Sequence, residues 1–600
     1  MKRILGLAIL LAVASSLHAQ YWSDYVLEKG FNSRDYFLQP HRIIALHTKS
    51  LDAGLLGIRP DSLSEISYQP ALLSHITGTK LYIDLKGSEE KFVLYPRNAY
   101  PIYAYINDCF LPPYMARYAE RKLQPMLSII YLGDVASHLL PGFKYGLSYE
   151  LIQHQGKYYE YVPLWYYGGR DAYGVTAEAS KNFPELEVNL KEDGLDEKSE
   201  TAHFLDAYLS LRLAKFLSLG VKASRIQTDI NGDYSRLNNY DDPVNSNNYR
   251  SSYLNSRGNE ATLKQDEISG GELVKFADNR TIGLFAGWVN GSHNQTLFER
   301  DSSHYSWGDQ SQNGEFSHSF YTHNNQSRWQ HKGDTRFAGV NGQLPMQQKI
   351  SFRFRLEYLK SDLDIYNGDT VIDTSDNHYR YRDYQTQEYI DYIYNSGFAD
   401  NRSGVGEKQI TQKTGAVGLI IPMYNSSQVT VGLFAQSLTS NLLVFEDAQV
   451  WRYNYDYSQN SYYPRDEQTI GIEDKTLRLD QKISTTRIAL PVVADFSLGK
   501  GFIARLGAVK QFLKSSTKEV VDIWYRTAKT TVIQPSGTTV DTQPPRIDRY
   551  QAIPVRKNDS STDFRLGLSF EPSKIVRFDI AMGTRWTELE NWQIALVVSF

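Results

Sequence analysis

Along much of this chain, apolar and polar residues alternate one by one, the period of an extended strand with two unlike faces. Residues 591–600 display it most plainly. Trp592, Ile594, Leu596, Val598 and Phe600 share one face, and Gln593, Ala595, Val597 and Ser599 share the other. A terminal strand this apolar frays unless something covers it. A membrane-spanning β-barrel supplies the cover: lipid on one side, lumen on the other, and the first strand along the edge.

The same alternation recurs upstream. In 350–358, Ile350, Phe352, Phe354, Leu356 and Tyr358 face one way, and Ser351, Arg353, Arg355 and Glu357 the other. In 205–213, Leu205, Ala207, Leu209, Leu211 and Leu213 oppose Asp206, Tyr208, Ser210 and Arg212, and the following segment sets Leu217, Leu219, Val221 and Ala223 against Ser218, Gly220, Lys222 and Ser224. Segments 564–570 and 576–582 place Arg565, Arg577 and Asp579 opposite apolar rows. Segment 488–498 puts Ala489, Val493, Asp495 and Ser497 inside, with Pro491 predicting a bulge or local break. A one-sided antiparallel sheet, as in a β-sandwich, would alternate in the same way. Charged rows behind aromatic ones suit a wet lumen behind a lipid-facing wall.

Short connections at 214–216, 344–349, 422–428, 499–501 and 571–575 alternate with long polar ones near 155–202, 233–267, 292–334, 367–407, 446–479 and 526–560. That is the short-turn, long-loop asymmetry of outer-membrane barrels. Counting back from Phe600 predicts strands near 592–600, 575–585, 562–571, 502–514, 484–498, 429–443, 410–421, 347–363, 334–344, 281–290, 268–277, 216–230, 203–213 and 142–154. The expected fold is therefore an all-β, transmembrane, antiparallel up-and-down barrel of about 14 strands, or about 16 if 127–132 joins a further strand. Its N-terminal plug or periplasmic segment occupies 20–124, and the barrel occupies 125–600. In that segment Asp61 or Ser62 reads as a helix cap, 80–85 and 92–95 as a short strand pair, and the stretch from Leu111 through Lys122 as a turn and helix. The segment could plug the barrel, cap its mouth or contribute the first strands.

Residues 1–19 have the layout of a secretory signal peptide: Lys2 and Arg3, an apolar stretch over 4–14, and a small residue, Ala19, before the cleavage point. Composition agrees with export. Hydrophobic residues make up 41% and mean hydropathy is -0.45, too polar for a helical membrane protein. Aromatics reach 13%, led by 43 Tyr, as in barrels with interfacial girdles. Cys109 is the one cysteine, so no internal disulfide is possible. The 64 basic and 68 acidic residues give a net charge of -4, which becomes -6 when Lys2 and Arg3 leave with the signal peptide. That balance predicts no nucleic-acid partner.

The C-terminus resembles the insertion signal of Gram-negative outer-membrane proteins, which ends on an aromatic residue. Gln593 fills the polar place and Phe600 the final aromatic one, while Ala595 replaces the glycine and Val598 the earlier aromatic. The resemblance implies location in the outer membrane, with lipid and the outer-membrane assembly machinery as partners. Gln69-Pro70-Ala71-Leu72, followed by the strand at 80–85, resembles the Asn-Pro-Ala-Gly segment that opens the fatty-acid transporter family. That family implies an N-terminal plug and a hydrophobic cargo. A TonB-dependent receptor, with about 22 strands and a separate plug, would need more chain than the mature length leaves.

Candidate chemistry is sparse. His293, His304, His318, His323 and His331 fall in one expected outer loop, with a metal site and a plain polar loop as the two readings. Asp229, Asn231 and Asp233 begin like a calcium loop, but Tyr234 and Tyr240 stand where Gly and Glu are needed. No nucleophile elbow is present and His203 has no evident Ser partner, so the chain is not expected to be an enzyme and no cofactor is expected. The expected lumen lining is Arg212, Lys222, Arg353, Arg355, Glu357, Asp495, Arg505, Arg565, Arg577 and Asp579. Such rows tune selectivity in a pore, here toward anions, or pair off in a ladder across strands. The leading expectation is a porin-like channel or transporter for small or hydrophobic solutes. The other is a non-transporting surface barrel (an adhesin, receptor, or secretion or assembly subunit) acting through Tyr-rich loops.

Overall fold

The computed structural model describes residues 37–51, 54–86, 127–134, 142–158, 196–242, 249–276, 280–308, 314–346, 350–383, 387–460, 464–551, 555–582 and 592–600. The signal-peptide region, the strand expected at 92–95, the turn and helix expected over 111–122, Cys109 and most of the 155–202 connection lie outside them. The described strands are β1 (Lys80–Lys86), β2 (Leu127–Asp134), β3 (Phe143–Tyr158), β4 (Asp196–Ala214), β5 (Leu217–Asp242), β6 (Tyr249–Lys275), β7 (Thr281–Gly308), β8 (Phe316–Pro345) and β9 (Ser351–Arg382). They continue as β10 (Tyr389–Pro422), β11 (Gln428–Ser458), β12 (Arg465–Gly499), β13 (Phe502–Gln534), β14 (Gly537–Gln543), β15 (Arg546–Gln551), β16 (Val555–Phe570), β17 (Val576–Met582) and β18 (Trp592–Ser599).

All pair antiparallel in one sheet that closes on itself, with β1 between β18 and β2. Since β14, β15 and β16 lie end to end along β13, the 18 strands fill sixteen places in the ring. This is the larger of the two expected strand numbers. β2 supplies one addition and β1 the other. The described wall includes β1 from Lys80, so the segment expected at 20–124 contributes a strand as well as filling the lumen; β1 pairs with β18 and β2, and 92–95 lies outside the described residues. Phe600 and Thr79 exchange backbone hydrogen bonds, so the last strand has the cover its apolar face demands.

The strands are far longer than expected. β9 has 32 residues, β10 34 and β12 35. Most of the connections expected at 233–267, 292–334, 367–407, 446–479 and 526–560 are strand. They read as loops because their outward residues are polar. On β9 the outward row passes from Phe352, Phe354, Leu356 and Tyr358 to exposed Lys360, Asp362 and Asp364. Its inward row passes from Arg353, Arg355 and Glu357 to buried Leu359, Leu363 and Ile365. Parity holds while polarity inverts.

The change falls at one level across neighbouring strands. The outward register row Leu356–Gly415–Ala435–Ile488 is followed by Tyr358–Lys413–Ser437–Thr486 and then Lys360–Thr411–Thr439–Ser484. Below it, Phe352, Leu419, Val431 and Val492 stand in one apolar row. The apolar stretch from Ile350 to Tyr358 fits the roughly 9–11 residues that a tilted strand needs to cross a bilayer. Pro491 causes no register shift against β13, but pairing with β11 lapses between Val431 and Phe434. A proline has no N–H to give the ladder. Among the described residues no helix is long and apolar enough to cross a membrane.

The apolar rows make the wall testable at two outward sites on one strand. Leu433→Arg should destabilise the barrel by about 2–4 kcal/mol in urea titrations from lipid vesicles, and Asn441→Arg by about 0–1 kcal/mol. Equal losses at the two sites would remove the apolar rows from the bilayer.

Candidate functional site

Residues 37–51 and 54–79 lie inside the ring. They comprise α1 (Leu46–Leu51), α2 (Ser62–Glu65) and a 3-10 turn, Pro70–His75. Asp61 is the α2 cap, its side chain accepting from the Leu63 N–H. One flank is apolar: Ile43, Leu46, Leu63, Ile66, Leu73 and Ile76 pack with Tyr82, Ile130, Leu132 and Val597 of β1, β2 and β18. Leu55 and Ile58 pack on Ala416, Phe434, Ala489 and Val509 of β10 to β13.

Charge holds the rest. The His41 ring sits between two wall carboxylates, with Nδ1 2.9 Å from Asp206 and Nε2 2.9 Å from Glu150. With a carboxylate at each ring nitrogen, both nitrogens must donate, which is the imidazolium form. Burial alone would favour neutral His41, but the Asp206 and Glu150 carboxylates overcome it and raise its pKa to about 9. The His41 backbone N–H donates to Glu267 at 2.7 Å, and Lys222 reaches both Glu267, at 3.0 Å, and the His41 carbonyl, at 2.6 Å. Arg42 pairs with Glu357 at 3.3 Å and Glu267 at 3.7 Å. Arg59 meets Asp495 at 2.6 Å. Wall Arg353 pairs with Glu65 of α2.

The wall is shaped for this guest. At Gly220 a Cβ would collide with the backbone of Pro70 and Ala71, at Gly418 with the Ile58 carbonyl, and at Gly507 with the Leu51 carbonyl. At Gly271 and Gly283 it would strike Gln69, whose amide donates to the carbonyls of Glu272 at 3.0 Å and Leu284 at 3.1 Å and to Asn341 at 3.2 Å. The Gln69-Pro70-Ala71 segment is thus a backbone-to-backbone contact between plug and wall.

The residues expected to line the lumen face inward here, in two groups. Lys222, Arg353, Glu357 and Asp495 bind the plug directly, Arg355 pairs with Glu357 and lies over the Tyr68 ring at 4.6 Å, and Arg212 donates to the Ser74 carbonyl at 2.6 Å. Arg505 bridges Asp495 and Asp579, Arg577 pairs with Asp579 at 2.9 Å, and Arg565 lies 3.9 Å from Asp563. Sequence reasoning missed wall carboxylates Glu150 and Glu267 and all the plug partners: His41, Arg42, Arg59 and Glu65. Inward glycines at 220, 271, 283, 418 and 507 were the available signal, since a glycine in a strand often marks close backbone approach.

The five singled-out histidines lie on β7 and β8, not in a loop. His293 and His331 are buried neighbours with ring centroids 5.9 Å apart, and His304 and His318 lie 5.0 Å apart. Among the described residues no group of three His, Cys, Asp or Glu could hold a metal. Asp229, Asn231 and Asp233 lie along β5, and His203 contacts the Tyr149 hydroxyl at 2.9 Å. Gln593 and Phe600 belong to the closing seam, where Gln593 pairs with Lys86 and Ala581.

Two perturbations probe the clasp. Gly418→Val should push the plug off the wall, so that trypsin cuts at Arg42 at least about tenfold faster, since a close-packed contact has no room for the added methyls. Because His41 is raised from 6.5 to about 9, its contribution to docking is complete below pH 6.5 and is lost as pH rises through about 9. Protection of the plug amides, taken relative to their intrinsic base-catalysed exchange rates, should fall over that window in the native chain, and His41→Gln should abolish the dependence.

No family model matches this chain, and no curated protein matches it. Among solved structures, two mutant forms of the ferric enterobactin receptor PfeA of Pseudomonas aeruginosa are each 9% identical to it, covering 67% of this chain and 78% of theirs at a TM-score of 0.17. The ferric yersiniabactin uptake receptor FyuA of Yersinia pestis is 9% identical, covering 68% of this chain and 79% of its own at a TM-score of 0.13. Likeness this slight carries no argument about function.

Proposed function

We propose that this is an outer-membrane barrel of the Gram-negative type, shut at rest, that passes a small or hydrophobic solute when its plug shifts. The observation that carries this reading is the charged clasp of His41, Arg42, Arg59 and Glu65 on Asp206, Glu150, Glu267, Glu357, Asp495 and Arg353. Removing one partner of a buried ion pair typically costs about 3–5 kcal/mol, so the rest state is firm. The same groups can be exchanged for water or a charged ligand, which a purely apolar seal does not permit.

A second reading, a surface receptor that conducts nothing, is favoured by the fill above the apolar rows. There Trp329, Leu363, Leu442, Leu479, Val521 and Ile523, from β8 to β13, close on one another in a single buried cluster. Extracellular solute would meet this core before it met the plug.

Planar-bilayer recording separates the two. The native protein should be silent and Arg42→Ala/Arg59→Ala should show intermittent conductance steps, with tryptic cleavage of the plug confirming its release. Silence from a variant whose plug is demonstrably released would leave the receptor reading.

A further inference from the structure

The far end of β11 carries aromatic residues at every second position on the outward face: Trp451, Tyr453, Tyr455 and Tyr457. Their rings lie in two near-parallel pairs. Trp451 and Tyr453 are 5.9 Å apart at 2°, and Tyr455 and Tyr457 are 6.4 Å apart at 14°. Gly397 of β10 makes room for the first pair, because a Cβ there would press on the Trp451 ring at 2.9 Å. Trp451 remains 42% exposed. It stands eighteen residues beyond the apolar-row residue Leu433, roughly 60 Å of strand at about 3.3 Å per residue. Lipid therefore does not account for the exposure.

The rows through the first three rings are low in charge, while Asp466 stands in the Tyr457 row and accepts from the Tyr455 hydroxyl at 3.5 Å. Register rows starting at Trp451, Tyr453 and Tyr455 cross β12, β13 and β14 as Ile472–Lys529–Thr542, Ile470–Thr531–Val540 and Gln468–Ile533–Thr538. Lys529 is the one charged residue in those rows, in a chain that is 22% charged overall. Ile472 and Val540 are 49% and 52% exposed. On the other side Asn395 stands beside Tyr455. The result is a platform of aromatic rings, short aliphatic chains, hydroxyls and amides, with Lys529 as its one cation and Asp466 at its end.

We propose that this platform binds a neutral polysaccharide chain. The C–H groups on a pyranose face pack against the electron-rich face of an aromatic ring, and paired parallel rings on a strand offer successive sugars a repeated surface. The amides of Asn395 and Gln468 and the threonine hydroxyls match the equatorial hydroxyls at a sugar's edge. The near-absence of cations gives an acidic polysaccharide or a nucleic acid little to pair with, which is why the neutral class fits. The inference rests on the outer-membrane reading, since it needs the β11–β12 end at the cell surface.

The test uses the full chain in nanodiscs, with soluble β-glucan and dextran as neutral probes and alginate as the acidic one, followed by affinity electrophoresis. Binding of a neutral probe is expected, weakened at least about tenfold by Trp451→Ala, as for a central aromatic anchor. Ile472→Lys, which alters the platform without removing a ring, should weaken it too, and Lys360→Ala should not. Failure of both neutral probes, tighter binding of alginate, or indifference to Trp451→Ala and Ile472→Lys would overturn the proposal. So would a protein ligand that is lost in those variants while no glycan binds. An epitope tag between Asn460 and Pro464, probed on intact cells, tells the failures apart. If the tag is hidden, the surface placement has failed. If it is reached and no neutral glycan binds, the platform inference has failed.

Discussion

The two-residue period of a strand in a closed ring is the constraint on which everything else rests. Once neighbouring strands are in register, every odd or even position is committed to one face, and a slip of one residue would turn every side chain around. The chain keeps that commitment over strands of more than thirty residues while its surroundings change. From Ile350 to Tyr358 the outside is apolar and the inside charged; from Lys360 to Asp364 the outside is charged, while Leu359, Leu363 and Ile365 are buried inside. The register shifts in the ladder are placed accordingly. Of three among the described residues, two, between Arg212 and Ala214 and between Ser497 and Gly499, fall at short turns, and the third, between Asp474 and Lys475, lies beyond the apolar rows. None interrupts the stretch in which parity decides between lipid and lumen.

A charged inner row needs a reason to exist, because burying charge costs more than a bare ion pair returns. The plug supplies the reason. Asp206 has His41, Lys222, Ser148 and Tyr208 around it, and Glu267 receives the His41 backbone, Lys222 and Arg42. Each of these wall carboxylates is thus satisfied by several donors, some from the plug and some from the wall itself. The glycines complete the arrangement by letting plug backbone lie against wall backbone at Gly220, Gly418 and Gly507. Removing the plug would strand the carboxylates, and filling the glycines would strand the plug.

The barrel was legible because alternation is local: 205–213, 350–358 and 564–570 each reveal two faces within a few residues. The inward direction of Arg353, Asp495 and Arg505 followed from the same rule. The strand extensions were not legible, since polar residues facing water look like loop whether or not a ladder holds them. Segment 367–382 carries Asp, Asn, Thr and Tyr and is nevertheless strand, paired to β8 and β10 along its length. The clasp was hidden for a different reason. His41 and Asp206 are 165 residues apart and His41 and Glu150 109 apart, and no spacing rule joins a plug to a wall over such separations. The strand at 80–85 was read but its neighbours were not, because seven residues, Lys80 to Lys86, do not show that two distant strands, β18 and β2, will flank them.

The two closures of this barrel are chemically unlike, and that difference bears on how it could work. The lower one is a polar clasp, whose partners can be traded for water, protons or a competing ion. The upper one is an apolar cluster drawn from β7 to β13 and reinforced by Phe37, Leu38, Leu56 and Tyr68 of the plug. Those four residues couple the two. A plug that leaves its charged seats also withdraws apolar side chains from the core above, so loosening below weakens packing higher up. The reverse holds as well: a ligand that spreads the long strands would take away part of what seats the plug. A signal arriving at the far ends of β9 to β13 therefore has a physical route to the lumen through packed side chains, without any segment having to span the distance alone.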